Sequence, residues 1–328
     1  MWRSAVRFLA ILISVASVAI GSGIFWAWAA YRADGPLTQP ITIIIAKGVG
    51  VKQIAAQLVS SGAIENEHLF VLGARYNETA RRMRAGEFIL QPGMSIRAIS
   101  DHLVNGEFVK RRLTIPEGFL TEEVVSLVAA TDGLVGDVPL DRPEGIYLPD
   151  TYFFIYGDTR LSILSRMKKA MDSALVEVWN ARDVNIAISS PREALILASI
   201  IECETGVEAE RARVSSVFHN RIRLRMRLQS DPTVAYAVTG GRRPLGRPLS
   251  RADMKIDSHY NTYLRFGMPP GPIANPGRAA LMAAVQPADT KDLYFVADGT
   301  GGHAFARTLA EHNRNVTKWR RIQRRRTK

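Results

Sequence analysis

Two glutamates close an unusually apolar run. Residues 194–201, ALILASII, carry no charge, and Glu202-Cys203-Glu204-Thr205 and Gly206 follow at once. An apolar run of this kind on a helix belongs in the middle of a folded domain. Carboxylates at its end are an anomaly, because glutamate is seldom buried unless paired or functional. At i and i+2 on a helix the two side chains point about 200° apart, so they cannot serve one cleft together. One is expected to face a substrate and the other a structural partner. Burial and the negative end of the helix dipole both raise a carboxyl pKa. A carboxyl still protonated near neutrality is what a general acid requires. A purely structural alternative has both glutamates salt-bridged by Arg211 and Arg213. Cys203 between them reads as a small buried hydrophobe, since no Cys–His spacing accompanies it.

Other residues suit recognition of a polar, ring-shaped ligand. Gln229, Tyr260, Asn261 and Tyr263 offer stacking faces and amide groups for N-acetyl and hydroxyl recognition. Residues 268–276 hold four prolines and one glycine, a rigid loop able to wall a groove, although turn chemistry alone also explains it. A two-carboxylate hydrolase would need a second acid, and Asp231, Asp253 or Asp257 could supply it. The six histidines show no metal-ligand spacing. The glycines at 299–302 lack the Lys-Ser and βαβ setting of a phosphate loop, so neither a metal nor a cofactor is expected.

The elements that must position these groups are legible from period and punctuation. Ser190-Pro191-Arg192-Glu193 has the form of a helix start, with Ser190 accepting from the N3 backbone, Glu193 reaching back, and proline at the first helical position. Upstream, Ile163, Met167, Met171 and Leu175 mark one stripe of a helix over about 162–179. A Gly-, Asp- and Pro-rich passage at 132–149 marks a change of domain and leads into an aromatic turn at Glu144–Tyr152. Before it stands an internal repeat. Strand-like runs at 43–45, 88–90 and 113–115 each lead to a glycine, Gly48, Gly93 and Gly118. Each glycine is followed at +3, +6 and +10 by Val51, Ile54, Leu58; Ile96, Ile99, Leu103; and Thr121, Val124, Val128. The period changes from about 2 to about 3.6 within each copy, which reads as strand, turn, helix. The pattern resembles LysM-like glycan-binding modules, although strand–turn–helix units also pack without any ligand.

From Phe8 to Ala30 no residue is charged. As a helix this run is about 35 Å long, enough to cross a bilayer. Arg3 and Arg7 precede it, which puts the N-terminus in the cytoplasm and the remainder outside. A cleaved signal peptide is the alternative, with Ala27-Trp28-Ala29 as the site. Export by either route excludes a cytosolic nucleic-acid partner. The net charge of +12 does not restore one, because eight Lys and Arg without an acid lie in residues 314–328 and leave +4 on the rest. That tail reads as a solvated, poorly ordered segment or as a surface for anionic polymer or lipid. The lone cysteine excludes an intramolecular disulfide.

The chain resembles the endolytic murein transglycosylase, or YceG-like, family. The resemblance rests on Ala198–Thr205, Leu228–Thr233, Tyr260–Tyr263, Met268–Ile273, Asn275–Gly277, Tyr294–Gly299, Gly301–His303 and Glu311–Asn313, in order and over nearly the whole chain. It implies a peptidoglycan lyase that trims nascent glycan strands at the inner membrane, with Glu204 as the catalytic residue. Glu202, Thr205, Gln229, Ser230, Asp231, Tyr260, Asn261, Tyr263, Asn275 and His303 are then the expected substrate contacts. Peptidoglycan strands, the membrane and peptidoglycan synthases are the expected partners. His259, Met268 and the Arg-rich tail depart mildly from the pattern. The expected architecture is α+β: a transmembrane helix within 1–33, a LysM-like repeat domain at 34–135, a mostly helical catalytic domain at 136–313 and a basic tail at 314–328. A two-carboxylate hydrolase and a non-enzymatic glycan-binding scaffold remain the alternatives.

Overall fold

The computed structural model describes residues 2–326. The chain divides into two compact units, one running to Arg111 and including Phe153–Asp158, the other comprising Arg112–Tyr152 and the chain from Thr159 onward.

In the first unit, α1 (Trp2–Arg32) is followed by β1 (Ile41–Ile45), α2 (Val51–Ser60), α3 (Glu67–Tyr76), β2 (Gly86–Leu90) and α4 (Ile96–Asn105). Residues 6–32 of α1 are long and apolar enough to cross a membrane, and Phe8, Ile13, Val18 and Ile24 on it are exposed. Its last turn belongs to the folded unit. Tyr31 is buried among Ile43, Phe70 and Leu103, and its hydroxyl accepts from Asn77 Nδ2 at 3.3 Å. At Gly73 a Cβ would fall 2.1 Å from the Tyr31 ring, so the absence of a side chain there lets α1 seat against α3. β1 and β2 pair antiparallel, Ile43 opposite Phe88. Their inward side chains meet Ile54, Leu58, Ile99 and Leu103 in one buried core.

Next come the third strand–turn–helix copy, β3 (Arg111–Thr114) and α5 (Thr121–Ala130), and then β4 (Thr151–Phe154), all in the second unit except Arg111, Phe153 and Phe154. All three copies have the expected geometry. Gly48, Gly93 and Gly118 have φ of +84°, +69° and +77°, the left-handed turn that glycine adopts without strain. The copies are not equivalent in their packing, however. α3, between the first and second, has no counterpart in the repeat pattern, and β3 pairs with β4 rather than with β1 or β2. By compactness the chain divides at 111–112, so the third copy falls almost wholly in the second unit.

The rest of the second unit is α6 (Arg160–Asn180), α7 (Pro191–Glu204), α8 (Arg211–Arg223), α9 (Asp231–Thr239), α10 (Arg278–Val285), a hairpin of β5 (Tyr294–Ala297) and β6 (His303–Ala306), and α11 (Leu309–Arg326). The apolar run of α7 forms the centre, with Ala198, Ile200 and Ile201 packed among Val214, Phe218, Leu281 and Met171. Each fully buried isoleucine contributes about 1.5–3 kcal/mol by leaving water. Ser190 caps α7 by accepting from Glu193 N at 3.2 Å. Glu193 reaches back one residue further than expected, accepting from the backbone and hydroxyl of Ser189. The basic tail expected to be poorly ordered is helical through Arg326. Trp319 and Ile322 on its half-buried stripe lie against Gly299, while Arg314, Lys318 and Arg321 face outward.

Candidate active site

α7 ends at a carboxylate. Glu204 is its last residue, and Thr205 caps it, donating its amide to Ile201 O. The Glu204 side chain lines a cavity of ≈ 460 Å³ with Arg221, Gln229, Asp231, Tyr263, Tyr294, His303 and His312. Ser230 Oγ donates to Glu204 Oε1 at 2.5 Å. Burial is the largest influence on the Glu204 carboxyl and pushes its pKa up to about 7. Ser230, His303 and Arg221 work against that rise, while the negative charge of Asp231 reinforces it. The result is an acid that still holds its proton near neutrality.

The wall carrying Ser230 is built with local strain. Gln229, which is not glycine, has φ of +51°. Its amide donates to Thr262 O at 3.2 Å, and the Ser230 amide donates to Thr262 Oγ1 at 3.0 Å. α9 then starts at Asp231 with Pro232 in its first turn. Tyr263 Oη donates to Asp231 Oδ1 at 2.6 Å, which aims the Asp231 carboxylate. Of the three aspartates considered as a second acid, only Asp231 lines this cavity. Asp253 is paired with Arg247, and Asp257 with Arg265.

Gln229, Asp231, Tyr263 and His303 thus line the cavity with Glu204, and Ser230 touches Glu204 itself. The remaining expected contacts do not line it. Glu202 points the other way, as the helix period required. Its Oε2 accepts from Gly277 N at 2.8 Å and its Oε1 meets Arg211 Nη2 at 3.4 Å. Burial raises the Glu202 pKa, and the Gly277 amide and Arg211 work against that. Asn261 is fully buried, donating to Met254 O and Ile256 O and accepting from Tyr263 N. Asn275 is also fully buried and ties three segments together through Phe119 O, Thr121 Oγ1 and Tyr147 N. Thr205 Oγ1 accepts from Val207 N within its own turn. Tyr260 packs on Tyr236, ring centroids 4.7 Å apart. Buried amides read in sequence as ligand contacts are here the joints of the fold, because each satisfies several otherwise orphaned backbone groups.

A second cavity of ≈ 360 Å³ lies beside Cys203, Phe119, Tyr236 and Ile273. Cys203 opens onto this cavity rather than being the fully buried hydrophobe expected, although its thiol is closely surrounded. Desolvation by its surroundings and the charges of Glu204, Glu202 and Glu144 push its thiol up to about 12, so it is no thiolate nucleophile at neutral pH. The proline-rich loop walls this second cavity through Ile273, whose amide donates to Ser199 Oγ at 3.0 Å.

Arg221, Tyr294 and His312 also line the cavity, and Glu210 contacts His303 there, without having been singled out as site residues in the sequence. Arg221 left a signal. It continues the buried stripe Val214, Val217, Phe218 of α8, where a charge needs a reason. Its guanidinium donates to Leu293 O and Leu228 O, fixing the hairpin to the wall that carries Gln229. Burial lowers its pKa, and it lies 5.2 Å from the Tyr294 ring centroid. Glu210 left none, since its partner His303 is 93 residues away.

Among known proteins, the chain is 31% identical over 313 residues to the endolytic murein transglycosylase of Bacillus subtilis strain 168, covering 85% of this chain and 84% of that one. It is 28% identical over 325 residues to the endolytic murein transglycosylase of Streptococcus pneumoniae serotype 2, covering 84% of this chain but only 58% of the pneumococcal protein. The crystal structure of a yceG-like protein from Listeria monocytogenes aligns with a TM-score of 0.52 at 29% identity, over 84% of this chain and 99% of that one. The YceG-like family profile matches residues 43–318. The chain belongs to the YceG-like family.

Proposed function

We propose that the chain is a membrane-anchored peptidoglycan lytic transglycosylase that cuts nascent glycan strands between MurNAc and GlcNAc and leaves a 1,6-anhydro end. The observation that carries this reading is the carboxyl of Glu204, pushed up to about 7 in a polar-walled cavity. Glu204 gives its proton to the leaving oxygen. The sugar's own 6-hydroxyl then attacks the anomeric carbon, and the proton it loses ends on Glu204 and restores the acid. One carboxyl suffices for this cycle because the nucleophile is already part of the substrate, so much of the entropy cost of bringing it close is met in advance. Digestion of glycan strands in ¹⁸O-water tests the reaction class. Products lacking the mass of water and carrying no label at the new end are expected; stoichiometric label there rejects the lyase.

Asp231 keeps one second reading in play, since its carboxylate lines the same cavity as Glu204. In a two-carboxylate hydrolase it would activate water or attack the sugar. The same ¹⁸O experiment separates the two.

The anchored topology rests on the uncharged stretch Phe8–Ala30 within α1 and on Arg3 and Arg7 before it. It puts the second unit on the outer face of the inner membrane, where nascent strands and their synthases are. A C-terminal reporter active only after export should be active; an active cytoplasmic reporter in its place rejects this topology. Glycan binding by the LysM-like copies belongs to the same proposal. A folded first unit that fails to sediment with insoluble peptidoglycan would remove it.

A further inference from the structure

We propose that His303, oriented by Glu210, is a second catalytic residue, whose Nε2 takes the proton from the attacking 6-hydroxyl and passes it on to re-form the Glu204 acid. The inference rests on the lyase reading above and adds the route by which the proton returns.

The geometry starts from Glu210, in the short 3₁₀ turn that leads into α8, and His303, the first residue of β6. One carboxylate holds the histidine at two points. Glu210 Oε1 accepts from the His303 backbone amide at 2.9 Å, and Glu210 Oε2 meets Nδ1 at 2.7 Å. A carboxylate can only accept there, so Nδ1 carries a proton, and in the neutral imidazole Nε2 then keeps its lone pair. His303 lines the cavity that Glu204 lines, and its Nε2 has no partner among the described residues. Phe295 stands edge-on to the ring at 5.3 Å between centroids, and Phe305 lies at 6.4 Å. The ring is therefore fixed in position and in tautomer.

The neighbouring backbone is shaped for this contact. A Cβ on Gly302 would lie 2.6 Å from Glu210 Oε1, so the carboxylate reaches the His303 amide only because residue 302 has no side chain. The cavity's other histidine, His312, is stacked on Tyr294 with centroids 5.2 Å apart, and its Nδ1 has no hydrogen-bond partner. Only His303 has the arrangement in which a third group orients the base.

The step balances. Glu204 protonates the leaving oxygen and the bond from that oxygen to the anomeric carbon breaks. The 6-oxygen bonds the anomeric carbon and its proton moves to Nε2. Glu204 is then a carboxylate and His303 an imidazolium facing Glu210. Once the product leaves, the imidazolium proton returns through cavity water to Glu204, and no net proton is consumed. With both groups present, Glu204 need not be at the leaving oxygen and at the 6-hydroxyl in turn.

The test uses the full-length protein on purified glycan strands, with product ends read by mass spectrometry. His303→Ala should lower kcat by about 10²–10⁴-fold, the usual worth of a general base, with KM little changed. Added imidazole should restore part of that kcat. Glu210→Gln should lower kcat and Glu210→Asp should recover much of it. His303→Gln, which keeps the bulk and the Phe295 contact, guards against loss of fold and should be as inactive as His303→Ala. A raised KM at unchanged kcat, or no rescue of a folded His303→Ala, would overturn the relay. If wild type gives unlabelled anhydro ends in ¹⁸O-water while His303→Ala is fully active, the relay falls and the lyase reading stands. Labelled wild-type ends overturn the lyase reading, and the relay with it.

Discussion

Ser230 donates its hydroxyl to Glu204 Oε1 across 26 residues of chain, from the residue just before α9 to the last residue of α7. This bond opposes the burial that raises the Glu204 pKa. Ser230→Ala removes that opposition. The alkaline limb of kcat should move up by about one pH unit, since a hydrogen bond to a charged group is worth about 1.5–3 kcal/mol. A pH–rate profile of the variant checks it. An unmoved limb would mean that Ser230 only fills space.

Glu204→Gln should abolish turnover, a loss of about 10²–10⁴-fold or more, while Glu202→Gln should mainly lower stability. The amide that replaces the Glu202 carboxylate can still accept from Gly277 N, but it leaves the Arg211 guanidinium without the negative charge at 3.4 Å. Breaking a partly buried charge pair from one side costs about 3 kcal/mol. Kinetics and denaturant melts on both variants separate the roles. Equal loss of activity from both, with both folded, would make the assignment wrong.

The raised Glu204 pKa has a signed consequence for stability. The folded protein holds a proton on Glu204 up to about pH 7, whereas the unfolded chain releases it near the ordinary carboxyl value of 4.5. Between those values the native state binds more protons, so this group's contribution to stability falls as pH rises from about 4.5 to about 7 and stays low above that. Glu204→Gln cannot ionise. Its stability relative to wild type should therefore grow over this window by at most about 3 kcal/mol and vanish near pH 4. Thermal melts across the window measure it, and a difference constant with pH would refute the shift.

Gly302→Ala should lower activity without unfolding the protein, because the new Cβ would push on Glu210 Oε1 2.6 Å away and turn the His303 ring. A loss of turnover about as large as that of Glu210→Gln is expected. Full activity would show that the contact tolerates displacement.

A fragment beginning at Arg112 should fold, whereas one beginning at Pro139 should not. The shorter fragment lacks α5 and leaves Asn275 without Phe119 O and Thr121 Oγ1 at the centre of the unit. It also strips buried Val124, Val125 and Val128 from the core. Proteolysis and circular dichroism of the two fragments decide. A folded 139–328 fragment would move the domain break back to the Gly- and Pro-rich passage.

Much of this protein was legible in its sequence. The 3.6-residue period and the proline and serine at its start defined α7, and the anomaly of charge ending an apolar run singled out Glu202 and Glu204. The same period required them to face apart, and they do, one to Gly277 and Arg211, the other into the cavity with Ser230. The glycine turns of the three copies were equally local, since a left-handed φ selects for glycine wherever it occurs. Partnership at long range was not legible. β3 has the same pattern as β1 and β2, yet it pairs with β4, because which strand a strand finds depends on packing that periodicity does not encode. Asn261 and Asn275 have the chemistry of ligand contacts and became internal joints, because a buried backbone group satisfied by an amide leaves no trace in spacing. Glu210 looked like one more acid before a helix. Only the tertiary structure brings it 2.7 Å from Nδ1 of His303, a residue that lines the cavity of Glu204.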